Sequence, residues 1–253
     1  MRIFRFEHGG LLRFMRAFHL LTTIGEETAL LEFYDCDLKL VVVSHDLHVI
    51  LHIRPPLLLH YCTPQTFSRY FKIHLKELYN LLSDKICHSS WMDFNLDRGL
   101  QPLATLTFQN DESGDAPLSL TSIVKVTKAE DKEDFSEVTS TKFVSLDSNQ
   151  FKRIVREFIS FDKVGVVLTN SQVMFSSESG EITFSVKDNE CIIGGVDVEE
   201  RIEYSVKLRP TKFFNDLASW IERVWFHHET TKTNIVMSAP IGFESRLTIT
   251  LLE

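Results

Sequence analysis

The sequence predicts an α+β protein built as two similar domains, on three observations. β-like runs alternate with a few short amphipathic helices, an acidic stretch near the middle lacks any hydrophobic period, and the same order of elements then restarts. The expected division is a first domain over 1–126, a connector over 127–138 and a second domain over 139–253. No short motif recurs between the halves, so the duplication is one of pattern and not of identity.

In the first half, Ile3 to Phe6 opens as a strand and Gly9-Gly10 marks a break. Leu11 to Leu21 has helical period, with Leu11, Met15, Phe18 and Leu21 on one side. Thr28 to Tyr34, Leu38 to Ser44 and Leu47 to Ile53 alternate as strands around short turns such as Asp35-Cys36-Asp37, and Pro55-Pro56 interrupts them. A second helix is expected over Leu75 to Leu82, with Leu75, Leu78, Leu81 and Leu82 along one side. Strands over Met92 to Leu96, Ala104 to Phe108 and Leu118 to Val126 complete the half.

The connector crowds Glu130, Asp131, Glu133, Asp134 and Glu137 around Lys128 and Lys132, with Phe135 as its only large apolar side chain, a composition suited to solvent. Beyond it, Lys142 to Ser145 reads as a strand, and Ser148-x-x-Phe151 opens a helix to about Phe161 with Phe151, Ile154, Val155 and Phe158 inward. Strands follow at Val164 to Leu168, Val173 to Ser176, Ile182 to Val186 and Arg201 to Leu208. A fourth helix begins near Thr211 and carries Phe213, Phe214, Leu217 and Ile221; Asn234 to Ser238 and Arg246 to Leu252 close the chain as strands.

The chain's 253 residues are 43% hydrophobic and include 20 Phe, enough apolar material for one large core or two ordinary domains. No apolar run approaches the ~18 residues that span a bilayer. Arg2, Arg5, Glu7 and His8 leave no apolar core for a signal peptide before Leu11, so a soluble intracellular protein is expected. Cys36, Cys62, Cys87 and Cys191 are widely spaced with no C-x-x-C pair, as isolated thiols in a reducing compartment are.

A net charge of −8 argues against a wholly basic nucleic-acid platform, and it makes the placement of each cation informative. Arg13 and Arg16 stand three apart on the first helix, opposite Met15 and Phe18. Arg153 and Arg156 repeat that spacing on the third helix, with Lys152 beside them; Lys76 lies on the outer side of the second helix and Lys212 at the start of the fourth. Most helices show Lys and Arg to water, but matched arginine pairs at equivalent places of two half-chains suggest a local footprint for phosphates. With no aromatics interleaved on that face, such contact would be to the backbone of nucleic acid and independent of sequence.

No P-loop, G-x-G-x-x-G or G-x-S-x-G occurs, and no carboxylate pair suggests acid–base work, so no enzyme activity and no cofactor are expected. In a strand, His48 and His52 would face one side and His45 the other, which keeps the three from converging on a metal. His227-His228 with Glu229 would need ligands from another segment.

The run Ser148-x-x-Phe151-x-Arg153-Ile154-x-Arg156-x-Phe158, followed by Val166-Val167-Leu168, Val173-x-Phe175-Ser176 and Ser179-Gly180-Glu181, resembles the start of the second domain of the DNA sliding clamps of the proliferating cell nuclear antigen family. Leu208-Arg209-x-x-x-Phe213-Phe214 is similar to the stretch that heads the family's last helix. Gly9-x-Leu11-Leu12-Arg13, the pair Ser44-His45 and the closing Arg246-Leu247-Thr248 fall in matching order. The resemblance covers most of the chain and is carried by order and spacing. It implies a ring-forming subunit with helices lining a channel and antiparallel sheets outside, usually a homotrimer. Such a ring encircles double-stranded DNA, in the nucleus or at a viral replication site in an infected cell, as a polymerase processivity factor that tethers replication and repair proteins and can be opened by a clamp loader. Arg13, Arg153 and Arg156 fall on its channel positions. Partner peptides would dock among the connector (Val126, Phe135, Val138), the Ser44-His45 segment and the C-terminal tail (Leu251), with Pro240 on the rim. Ile24-Gly25-Glu26-Glu27 and Pro55-Pro56-Leu57-Leu58 have some likeness to the heterotrimeric checkpoint clamp. A subunit of that clamp and a monomeric processivity factor are the alternatives. Subunits would join by pairing edge strands, expected at Leu118 to Ile123 and Ile182 to Val186.

Overall fold

Contacts between phenylalanine rings, stacked or edge-to-face in the first half and edge-to-face in the second, organise both halves of the chain. In the computed structural model, which describes residues 2–34, 37–54, 58, 60–61, 70–86, 89–96, 103–110, 118–129, 140–228, 235–241 and 245–252, the protein is mixed but strand-rich, with large antiparallel sheets and four helices among the described residues. The chain divides into two units, one comprising 1–43, 50–134 and 241–246, the other 44–49, 135–240 and 247–253.

The first unit runs β1 (Arg2–Glu7), α1 (His8–Thr22), β2 (Thr28–Phe33), β3 (Leu38–Val43), β4 (Leu47–Ile53), β5 (His60–Tyr61), β6 (Tyr70–His74), α2 (Leu75–Ile86), β7 (Trp91–Leu96), β8 (Leu103–Asn110) and β9 (Leu118–Lys128). Its strands stand in the order β3-β2-β6-β9-β8-β7-β1-β5. All of the recorded pairings are antiparallel, which lets one face take the helices while the other meets water. A row of rings crosses from sheet to helix. Phe71 meets Phe33, Phe33 meets Phe94, Phe94 stacks on Phe4 at 4.7 Å, and Phe4 leads through Phe6 to Phe14 at 4.8 Å and on to Phe18.

The helix α1 begins at His8, so Gly9 and Gly10 lie within its first turn and do not form the break expected of them. Glycine costs least there, because first-turn N–H groups have no intrahelical partner in any case. The buried side chains of Leu11, Phe14, Met15, Ala17, Phe18, Leu20 and Leu21 hold the rest of the helix to the sheet. The helix stops where Thr23 turns its N–H back to Leu20 and Leu21, and Gly25 takes φ +100, a backbone state that favours glycine. Strand β6 was not expected from the sequence. Only Phe71 and Ile73 of its five residues are buried, too short a pattern to stand out. Strand β9 continues through Lys128, two residues past the expected domain boundary, because Val126 and Thr127 pair with Ile73 and Lys72 of β6. Residues 130–138 of the expected connector lie outside the described residues.

The second unit carries β10 (Phe143–Asp147), α3 (Ser148–Phe158), β11 (Val164–Leu168), β12 (Gln172–Ser177), β13 (Gly180–Ser185), β14 (Cys191–Gly194), β15 (Ile202–Val206), α4 (Thr211–Trp220), β16 (Arg223–His228), β17 (Ile235–Ile241) and β18 (Ser245–Leu251). Strands β14-β10-β16-β17 are neighbours in one sheet, and β13-β12-β11-β15 form a four-stranded sheet. Phe226 of β16 links them to the helix layer, lying 6.0 Å from Phe151 of α3 and 5.8 Å from Phe175 of β12, which in turn meets Phe184 of β13. The carboxylate of Asp147 accepts from the N–H groups of Asn149 and Gln150 and so starts α3. The helix ends at Phe158, three residues before the expected Phe161, whose N–H turns back to Phe158. Ser177 pairs with Gly180 across the β12–β13 hairpin, where Gly180 has φ +147.

Strands β14 and β16 escaped the sequence reading. In β16, Val224 and Phe226 are buried between half-buried Arg223, Trp225 and His227. The large amphipathic residues blur the alternation. Both edges expected for assembly are free edges here. Strand β13 is terminal in its sheet, and among the described residues 118–125 of β9 pairs only with β8. Leu120 and Ile123 of β9 are 44% and 61% exposed.

Phe226→Ala removes the ring that joins helix, sheet and hairpin in the second unit, and should cost about 3–5 kcal/mol. Ile123→Ser on the outer face of β9 should stay within about 0.5 kcal/mol. Urea unfolding of both variants beside the parent measures the contrast.

Candidate nucleic-acid interface and partner-docking surface

The phase of each helix is set by what it buries. Because Phe14, Met15 and Phe18 point into the first unit, Arg13 and Arg16 are exposed on the opposite side of α1. Because Phe151, Ile154, Val155 and Phe158 point into the second unit, Arg153 and Arg156 are exposed on α3, with Lys152 half-buried beside them. Lys76 on α2 and Lys212 on α4 are exposed as well. Helix α1 contacts α2 within the first unit, where the His19 and Tyr79 rings lie 5.1 Å apart, and α3 contacts α4 within the second.

The electrostatic distinction lies in pairing. None of these seven cations makes a hydrogen bond or salt bridge among the described residues. Four other arginines are engaged, whereas Arg54 and Arg246 are exposed and, like the helix arginines, make no such contact among the described residues. Arg5 holds Asp93 through two contacts of 2.7 and 2.8 Å and stacks over Trp91, Arg201 meets Glu203, Arg209 meets Asp162, and Arg223 donates to the Ser145 hydroxyl. Lys142 is likewise bound to Glu200. Arg153 lies 6.0 Å from the face of Phe184, a weak contact that orients the guanidinium without neutralising it. An unpaired guanidinium on a rigid helix can bind a phosphate without first giving up an ion pair.

The residues expected to receive partner peptides are distributed differently. His45 is not in β4 but in the turn before it, where Ser44 N–H and Oγ both lie within hydrogen-bond reach of the Leu47 carbonyl, and its side chain is 98% exposed. That turn is adjacent to the end of the chain, since Leu252 N–H donates to the Asp46 carbonyl at 3.0 Å. Pro240 is exposed on β17. Leu251 is only 3% exposed and Val126 only 5%, so these two serve the cores of β18 and β9 and offer no side chain to a peptide. Phe135 and Val138 lie outside the described residues.

No group of three or more His, Cys, Asp or Glu among the described residues is placed to hold a metal ion. His48 and His52 are half-buried on β4, with His52 Nδ1 3.3 Å from Asp37. His227 Nε2 lies 3.0 Å from the Ser238 hydroxyl on the neighbouring strand. His228 packs against Tyr204, and its Nδ1 is buried without a partner among the described residues. Burial, reinforced by the nearby Lys142 charge and opposed by Glu200, lowers the His228 pKa below its ordinary 6.5. Burial first, then Glu190, pushes the Cys191 thiol up to about 11, which leaves it inert at neutral pH. Cys36, Cys62 and Cys87 lie outside the described residues.

A neutral His228 stabilises the fold above its ordinary pKa of 6.5, and that contribution is lost as pH falls through its lower folded value. Thermal unfolding between pH 7 and pH 5 should therefore show a smaller acid-induced drop in Tm for His228→Gln than for the parent. The sequence matches no protein-family model and no curated protein.

Proposed function

We propose that this chain is a non-catalytic subunit of a DNA sliding clamp, a ring that encircles duplex DNA and tethers replication or repair proteins, a polymerase among them, in the nucleus. The observation that carries the reading is the pair of unpaired arginines on the first helix of each unit, in a chain whose net charge is −8. A closed ring holds its duplex by topology, so a few weak phosphate contacts per subunit suffice and sliding stays fast; strong or base-specific contacts would impede it. The two free edges at β9 and β13 support head-to-tail closure of like subunits, which would pair those edges and cover Leu120 and Ile123. The exposed His45, its neighbour Asp46 beside Leu252, and the exposed Pro240 support a docking surface for partner peptides in the second unit. The resemblance of the α3 segment to sliding clamps adds the trimeric ring and the clamp loader to this proposal.

Light scattering of the purified chain should give a homotrimer. A monomer that trimerises only with other chains would identify the heterotrimeric checkpoint type of clamp, and a monomer that stimulates a polymerase alone would replace the ring with a processivity factor lying on the duplex. Arg153→Ala with Arg156→Ala should leave the oligomer intact and lower retention on duplex DNA several-fold. Undiminished retention would overturn the interface.

A further inference from the structure

The four helices do not carry equal charge. Helix α1 has two cations, Arg13 and Arg16, and no acid. Helix α3 has three, Lys152, Arg153 and Arg156, against Glu157 alone. Helix α2 balances Lys76 and Lys85 with Glu77 and Asp84, and α4 balances Lys212 with Asp216. Each unit thus presents one helix with a net positive charge of two and one that is neutral.

Local surroundings sharpen the difference. On α3, Asn149, Arg153 and Arg156 are exposed in an i, i+4, i+7 line; Glu157 stands one turn beyond Arg153, but with Arg156 and Lys152 the helix keeps a net positive charge of two. On α1, the line is Gly9, Arg13 and Arg16, and a Cβ built on Gly9 would meet nothing within 4 Å, so the approach to the arginines is open. Lys76, by contrast, shares a groove of about 920 Å³ at the start of α2 with Glu26, Glu27 and Glu77. A phosphate that approached Lys76 would meet more negative charge than positive within a screening length of about 8 Å. Lys212 has Asp216 one turn on, and one Asp216 oxygen is buried without a partner among the described residues.

We infer that duplex phosphates are contacted by α1 and α3 only, one helix per unit, and that α2 and α4 hold those helices in place without contributing to DNA affinity. This rests on the proposed function. The discriminating measurement is the salt dependence of binding to a short blunt-ended duplex, by fluorescence anisotropy, on the full chain. Arg13→Ala with Arg16→Ala, and Arg153→Ala with Arg156→Ala, should each flatten the plot of log K against log salt by about 2 for every subunit in contact with the duplex, or about 5 for a whole trimer. Lys76→Ala with Lys212→Ala should leave slope and affinity unchanged. All of these positions but Lys152 are exposed and unpaired, and circular dichroism melts should superimpose on the parent. A lysine pair that flattens the slope as much as either arginine pair would overturn the inference and leave the clamp reading standing. Arginine pairs without effect on a duplex that the parent binds would overturn the inference together with the proposed DNA interface. A parent that binds no duplex at low salt would remove both.

Discussion

Everything that this protein offers to a partner depends on how its phenylalanine rings lock helix to sheet. In the first unit, the row from Phe71 to Phe18 passes through four strands, β6, β2, β7 and β1, before it reaches α1, and in the second Phe226 touches α3 and β12 at once. Edge-to-face and stacked pairs of this kind add about 0.5–1.5 kcal/mol each beyond the area they bury. Their larger consequence is geometric. A helix that buries Phe14 and Phe18 has no freedom of rotation, so Arg13 and Arg16 must project from its other side, and the same holds for Phe151 and Phe158 against Arg153 and Arg156.

Electrostatics then separates cations that build the fold from cations left for a ligand. Asp93 is 3% exposed, and its burial is tolerable because Arg5 meets it with two hydrogen bonds and rests on Trp91. Lys142 is occupied in the same way by the partly exposed Glu200, whose carboxyl is held below the usual range chiefly by that hydrogen bond. The helix-face arginines have no such duty. Their exposure makes them nearly neutral for stability, and on an acidic chain it makes them points of attraction for anionic partners.

The sheet edges impose a different constraint. Free edges at β9 and β13 are an aggregation hazard unless something pairs with them, and Leu120 and Ile123 add exposed apolar surface at one of them. The proposed ring closure would pair those edges, so assembly and DNA retention are parts of one proposal.

By itself the sequence determined a mixed, strand-rich fold, three helix starts near Leu75, Ser148 and Thr211, the inward faces of the helices except at Leu81, which is only half-buried, and hence the arginine faces. These follow from hydrophobic period, which is a local property. The edges at β9 and β13 were expected from the resemblance to ring-forming clamps and not from any local pattern. What only the tertiary structure decided are the features that depend on distant partners. Gly9 and Gly10 continue a helix because residues beyond them are anchored to the sheet, and Val126 is buried because β6 extends β9 past its expected end. Strands β6, β14 and β16 exist through their neighbours, since pairing of one strand with another confers an order that five amphipathic residues do not encode. Above all, whether a lysine or arginine is free or already bound to a carboxylate cannot be read along a chain. Lys142 and Glu200 stand 58 residues apart, Arg5 and Asp93 stand 88 apart, and only folding brings each pair together while leaving Arg13, Arg16, Arg153 and Arg156 alone at the surface.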